Sequence, residues 1–365
     1  MRRPAMGQFV SLLFADPIDA LKLLFRQKFK GKSVMNRIPV IPFITIFVLF
    51  CGCGSYESNP KITFSHILND QSEWHVGAVK WKELVEESLG DQIAIRLVTN
   101  SSLSKNNQRT ELEMVQAGTL GGSWESSILL TIIDPRWTVW SMPWLFDSYE
   151  EAAKICDSEL GEEMLASLEQ KGIISLAYGF NGFRRLTNNK RPVVSLPDIR
   201  GLKIRVPAIQ MYTSLYRAWS ADPSQMNFGD LIVALREGAM DGQENPLHVI
   251  RSSGLYDLQP YLTLWEYSFD PIIFCMSKPV WEKLTSEQQN AIKKSARAAA
   301  AFQRETVIQN EAAHLEFLRA HGMNAVTPSR ENIEVFQSAS LSVYDEYKSI
   351  IGEDLLRRFR EATMP

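Results

Sequence analysis

The sequence predicts an α/β protein built in two lobes. Strands and helices alternate from Lys61 onward, a second alternating set begins near Gly182, and one helical stretch is too long to belong to a single lobe. The chain has 365 residues, 45% of them hydrophobic and 22% charged, which is more than one compact core accommodates.

The elements follow in order. "KITFSHI" (61–67) reads as a strand, and "WHVGAVKWKELVEESLG" (74–90) as an amphipathic helix stopped by Gly90. "QIAIRLVTN" (92–100) alternates as a second strand, and "NNQRTELEMVQAGTL" (106–120) is a helix closed by Gly118. With "GIISLAYG" (172–179) as a further strand, the pattern predicts a largely parallel sheet. The second set holds the strand "GLKIRVP" (201–207) and the helices "MYTSLYRAW" (211–219) and "FGDLIVALREG" (228–238). "EYSFDPIIFCM" (266–276) reads as a strand crossing between lobes. The longest helical signal opens at Thr285, which has capping-box spacing to Gln288, and stops at Gly322. About 36 residues at 1.5 Å each span roughly 54 Å, enough to run along both lobes.

The N-terminus stands apart from this body. "MNRIPVIPFITIFVLFCGCGS" (35–55) places Arg37 before an apolar run, Ile38 to Phe50, that is too short to span a bilayer but suits a signal peptide. The "FCGC" that ends it resembles a bacterial lipobox, and Cys53, after the small Gly52, fits the lipidated position better than Cys51 after Phe50. A single acyl chain binds a membrane only marginally, so the several chains of a lipoprotein are what a firm tether requires. Residues 1–34 are basic and are explained by a true start at Met35, the alternative being a cytoplasmic extension. The expected organisation is a leader over 1–53 and a tether over 54–60. Lobe I then takes 61–181 with 270–310, and lobe II takes 182–269 with 311–365.

Without residues 1–52 the chain keeps 31 basic and 40 acidic residues, a net charge of about −9. Such a body does not grip nucleic acid or an anionic membrane through bulk charge. An anionic ligand must be held by local groups working against the global field. Cys156 and Cys275 lack metal-ligand spacing and are expected to be buried free thiols.

Enzyme signatures are absent. There is no GxSxG elbow, no HExxH, no phosphate-cradling glycine loop and no paired CxxC. The five histidines are scattered. His314 and His321, seven apart on the long helix, read as solvated surface, so neither a metal site nor a cofactor is expected.

Two arginines stand out instead. In GLKIRVP the residues Leu202, Ile204 and Val206 share one strand face, yet Arg205 sits at the strand's C-terminal end, where open α/β sheets bind ligands. Arg184, in "GFRRLTN", follows the glycines that separate the two sets. A guanidinium suits a carboxylate because its planar fork donates two parallel charge-assisted bonds, though a structural salt bridge uses the same geometry. After Gly238 comes the polar run "DGQENP" (241–246), which on pattern alone is a capped turn.

"LEMVQAGTL" (112–120), "MPWLFDSYEEA" (142–152), "RPVVSLPDIRGLKIRVP" (191–207) and "FGDLIVALREGAMDGQENP" (228–246), in this order, resemble the solute-binding proteins of TRAP transporters, the DctP family. The resemblance extends over residues 61–360. It implies a two-lobed, periplasmic-binding-protein-like α/β fold with hinge strands, a long helix spanning both lobes and a cleft between them. It also implies a small organic acid in that cleft, delivered to TRAP membrane subunits. Position by position, Arg205 matches the carboxylate-clamping arginine and Arg184 a second cleft arginine. Asn245 matches the solute-contacting asparagine of DGQENP, and Phe228 an aromatic beside the ligand. Trp124, Glu125 and Ser126 fall where the first lobe supplies contacts, with Trp124 chosen among Trp124, Trp137, Trp140 and Trp144 to line the cleft. The chain departs from the family in having Gly121-Gly122 where an acidic residue is common after "GTL", and in lacking a glycine in "SSLSKNNQ".

The resulting expectation is a non-enzymatic, monomeric, extracytoplasmic receptor, tethered through Cys53 and working by hinge closure. The rivals are a sensor accessory that passes the same solute to a signalling receptor, and an enzyme using Glu125 near Arg205 as a base.

Overall fold

The computed structural model describes residues 60–363. The leader, Cys53 and the tether before Pro60 lie outside these residues. Eleven strands among the described residues form two mixed sheets. The first sheet contains β1 (Lys61–Ser65), β2 (Ala94–Val98), β3 (Gly122–Ser126), β4 (Ile173–Phe183) and β10 (Phe269–Ser277), in the order β2-β1-β3-β10-β4. The second contains β5 (Arg185–Asn188), β6 (Lys203–Val206), β7 (Asp222–Gln225), β8 (Gly242–Asn245), β9 (Tyr261–Thr263) and β11 (Asn324–Val326), in the order β11-β9-β5-β8-β6-β7.

The expected parallel arrangement holds for only part of each sheet. β1 runs parallel to β2 and β3, but β10 enters antiparallel between β3 and β4. The reason is topological: β10 returns from the second sheet, and so it meets the first from the opposite end. For the same reason the segment Glu266–Ser268 is not itself strand. It carries the crossing, and pairing begins at Phe269.

The two strand crossings lie side by side. β4 and β10 pair up to Phe183 opposite Phe269, and the Arg184 N–H continues to the Ser268 carbonyl at 2.9 Å. The register slips there, because Asp270 pairs with Gly182 while Pro271 pairs with Phe180, leaving Asn181 as the extra residue of a bulge. A proline inside a central strand is tolerated at such a slip, where a ladder bond is already missing. Gly182 is required on two counts. Its φ is +108°, and a Cβ there would sit 2.7 Å from Tyr149 Oη.

The third crossing is the helix Ser286–Ala320. It starts as expected, with Thr285 Oγ1 accepting from Gln288 N and Gln288 Oε1 accepting from Thr285 N. Midway, Gln303 donates to Phe180 O and accepts from Phe180 N, both at 2.8 Å, so one side-chain amide stands in for a neighbouring strand on the open edge of β4. Towards its end, Asn310 and His314 donate to Glu73, and Arg251 from the helix Leu247–Ser252 reaches His314 at 3.2 Å. His314 is thus buried and engaged, contrary to the solvated reading.

Cys156 and Cys275 are buried free thiols. No helix among the described residues is long and apolar enough to cross a membrane.

Candidate functional site

A cavity with about 380 Å³ of empty volume lies where the C-terminal ends of β3, β6 and β8 meet the bulge in β4 and β10. Strand ends are where backbone pairing stops and side chains are free to turn toward a ligand. Among its lining residues are Ser126 from β3, Arg205 from β6, Asn245 from β8, and Asn181 with Asp270 from the bulge. Arg184 enters from the link between β4 and β5, and Phe228 from the start of the helix Phe228–Arg236.

Arg184 and Arg205 are each 3% exposed, but their partners differ. Arg184 Nε and Nη2 grip the Glu244 carboxylate, while Nη1 donates to Asp270 Oδ2 at 2.9 Å. Its Nη2 also reaches Asn245 Oδ1 at 3.2 Å, and Tyr267 Oη donates to the same Glu244 at 2.7 Å. Burial alone would lower the Arg184 pKa, but Glu244 leads a set of partners that raises it well above the ordinary value.

Arg205 has no such counter-ion. Its Nε and Nη2 converge on one backbone oxygen, that of Met226, at 2.9 and 2.7 Å, and among the described residues no carboxylate forms an ion pair with it. Burial pushes its pKa down to about 10, with Glu244 opposing the shift and Arg184 adding to it. The group is still a cation at neutral pH, desolvated and without a hydrogen-bonded counter-ion.

Asp270 anchors the first-sheet side. Its Oδ1 accepts from Ser126 Oγ at 2.7 Å and Ser127 Oγ at 3.1 Å, and its Oδ2 from Asn181 Nδ2 at 2.7 Å and Arg184 Nη1. The Asn181 amide is oriented by Trp74, whose indole N–H can only donate and does so to Asn181 Oδ1 at 3.0 Å. Burial raises the Asp270 pKa and Arg184 pulls it back. Two of its four partners, Arg184 and the oriented amide of Asn181, offer no acceptor for a carboxyl proton.

Of the seven residues expected at the site, Arg205, Arg184, Asn245, Phe228 and Ser126 line this cavity. Trp124 and Glu125 do not: alternation puts Glu125 on the face opposite Ser126, and Trp124, on Ser126's face, lies two residues back from the strand end. Trp124 turns under the helix Glu73–Leu89, where its ring meets Phe274 edge-on at 5.0 Å. Glu125 turns to the other face, accepting from Ser123 Oγ at 2.8 Å. Burial and then nearby Glu111 raise its pKa well above the ordinary value. Asn181 and Asp270 were missed. Their signals were an asparagine between glycines in "GFNGF" and an acid before proline in the apolar run "SFDPIIFCM".

Beside the cavity the two sides touch. The loop before the helix Gln108–Ala117 presents Asn106 to Gly229, where a Cβ would lie 2.8 Å from both Asn106 Cβ and Asn106 O. Four of the loop's residues, Asn100, Ser101, Lys105 and Asn106, hold positive φ. Gln108 and Phe228, on either side of this contact, both line the cavity.

Known proteins share this arrangement. A TRAP periplasmic solute-binding protein of Ralstonia eutropha, solved with (S)-2-acetolactate, is 30% identical with a TM-score of 0.80, over 83% of this chain and 98% of that one. A sugar-acid-binding protein of Advenella mimigardefordensis, solved with galactonate, is 28% identical with a TM-score of 0.81, over 84% and 98%. The 2,3-diketo-L-gulonate-binding periplasmic protein YiaO of Escherichia coli is 26% identical over 288 residues, 78% of this chain and 87% of its own length. The two-lobed fold is therefore that of TRAP solute-binding proteins. The family model for bacterial extracellular solute-binding proteins, family 7 (DctP), matches residues 64–350, and the chain belongs to that family of receptors.

Proposed function

We propose that this protein is an extracytoplasmic receptor that captures a small organic acid in the cavity between its sheets and delivers it to TRAP membrane subunits. The observation that carries the reading is the guanidinium of Arg205, which has no paired carboxylate. A desolvated cation held only by a carbonyl oxygen is a site waiting for an anion, and a bidentate carboxylate completes its fork. Charge-assisted pairs of this kind contribute about 1.5–3 kcal/mol each. Arg184 holds the cavity wall, Asn245 and Ser126 offer polar contacts, and Phe228 packs against the solute. The carboxylates in the names of the relatives support the same class.

In this reading lobe I comprises 61–181 and 270–310, lobe II comprises 182–269 and 311–365, and the solute draws them together. The receptor is a monomer, exported by a signal peptide and tethered through lipidated Cys53. Neither a cofactor nor a catalytic group enters the mechanism.

The test is a thermal-shift screen of the purified protein, stripped of solute by denaturation and refolding, against small carboxylates. A solute at about 100 times its Kd adds about 2.7 kcal/mol of stability, a clear shift. The reading expects a shift that disappears in Arg205→Ala. It fails if no acid shifts the stripped protein, or if the shift survives the substitution.

A further inference from the structure

The cavity carries more information than the presence of an anion site, because its charges and its apolar wall restrict what the anion is. Two cations and one carboxylate line it, and Glu244 stands directly behind Arg184. Arg184 is already met by two carboxylates and Arg205 by none. The cavity therefore has one guanidinium with no paired carboxylate. A second carboxylate on the solute would find no free cation and would face the fixed negative charge of Asp270.

Asp270 is also saturated. A carboxylate has about four acceptor positions, and all four are used, by Ser126, Ser127, Asn181 and Arg184. It offers little to solute hydroxyls. Most of the rest of the wall is hydrocarbon: Ile67, Leu68, Ile128, Leu129, Phe228 and Val249 line it, with the Gln108 amide as one further polar group. A solute bearing hydroxyls on every carbon would leave most of them unpaired against these side chains, at a cost for each.

We infer that the solute is a compact monocarboxylic acid with a short branched hydrocarbon body and at most one or two hydroxyl or oxo groups, and that Asp270 is the residue that excludes dicarboxylates. This deepens the receptor reading and rests on it. The carboxylate sits on Arg205, the body packs on the apolar wall, and one oxygen beside the carboxylate takes an N–H left over on Asn245 or Asn181. The stripped, full-length protein separates the alternatives by calorimetry with four probes. These are 2-hydroxy-3-methylbutanoate, malate, the half-amide of malate in which the second carboxylate becomes a neutral isostere, and gluconate.

The inference expects the branched acid to bind at least about tenfold more tightly than malate or gluconate, and the half-amide to bind more tightly than malate, because like charges brought together are penalised. Asp270→Asn is expected to bring malate closer to the branched acid by about tenfold or more. Tighter binding of malate or gluconate than of the branched acid overturns the assigned class. A malate-to-half-amide ratio near one overturns the role of Asp270 even if Asp270→Asn does not fold, because that comparison needs only the unaltered protein. If none of the four binds and Arg205→Ala changes nothing in a wider acid screen, the receptor reading itself has failed, which is a different result from binding with the wrong selectivity.

Discussion

Arg184 and Arg205 are the same side chain, equally buried, on the same cavity, and they are held in opposite ways. Arg184 is enclosed by Glu244 and Asp270, whereas Arg205 rests on one carbonyl oxygen. In the proposed reading the first serves the folded state and the second binding, and what separates them is their partners, since depth and chemistry are alike. A buried charge is informative about function only once its counter-ions have been counted.

The contrast can be broken experimentally, most severely through Arg184. Arg184→Ala would strand two buried carboxylates, and breaking a buried pair in this way typically costs about 3–5 kcal/mol. Urea unfolding of the solute-free protein should show a loss of that order. Arg205→Ala should leave the same midpoint unchanged or slightly raised, because a desolvated cation has been removed. Equal losses in the two variants would end the comparison.

Solute affinity should rank them the other way. Removing Arg205 leaves a solute carboxylate buried and unpaired, a loss of about 2–5 kcal/mol, or a few hundredfold in Kd near the middle of that range. Arg205→Lys should lose about tenfold or more, because an ammonium cannot reproduce the planar fork. A lysine variant with unchanged Kd would show that only charge matters.

Acidification gives a third, smaller separation. His248, whose Nε2 meets Asn181 on the Arg184 side, has its pKa pushed by burial from 6.5 down to about 4. The unfolded chain takes up this proton first, so His248 alone costs the folded state about 3 kcal/mol as pH falls from about 6.5 to about 4. His66, lowered by burial to about 3, adds in the same direction. Arg205 stays charged throughout that window and up to about pH 10, so affinity should be flat between pH 7 and 9. Denaturation midpoints that do not move between pH 7 and 5 would contradict the first statement. A slope in Kd across pH 7 to 9 would contradict the second.

Much of the frame was legible from pattern. The Thr285 capping box, the Gly90 and Gly118 stops and the alternation of GLKIRVP are local signals, and the structure shows the caps and the strand as read. Arg205's place at the cavity was legible for the same reason, since a strand's end is set by neighbours in sequence. Glu125 and Trp124 fall outside the cavity for different reasons, the first by strand face and the second by its distance from the strand end, and loose alignment resolves neither. Asp270 and Asn181 were illegible as a pair because a bulge between β4 and β10, 89 residues apart in the chain, brings them together. Whether an arginine is paired is likewise a long-range fact, with 60 residues between Arg184 and Glu244.

The contact between Asn106 and Gly229 has a consequence in time. In the proposed hinge closure these two residues meet as the loop and the helix come together beside the cavity, and a methyl group at Gly229 would act on that encounter. Alanine also favours helix over glycine by up to about 1 kcal/mol, so Gly229→Ala need not unfold the protein. Its effect should appear as a shorter residence time, with dissociation accelerated several-fold and association little changed, a split that stopped-flow kinetics reads directly. The single hydrogen on Gly229 would then set how long a captured solute is kept, and so how long a loaded receptor has to find its transporter.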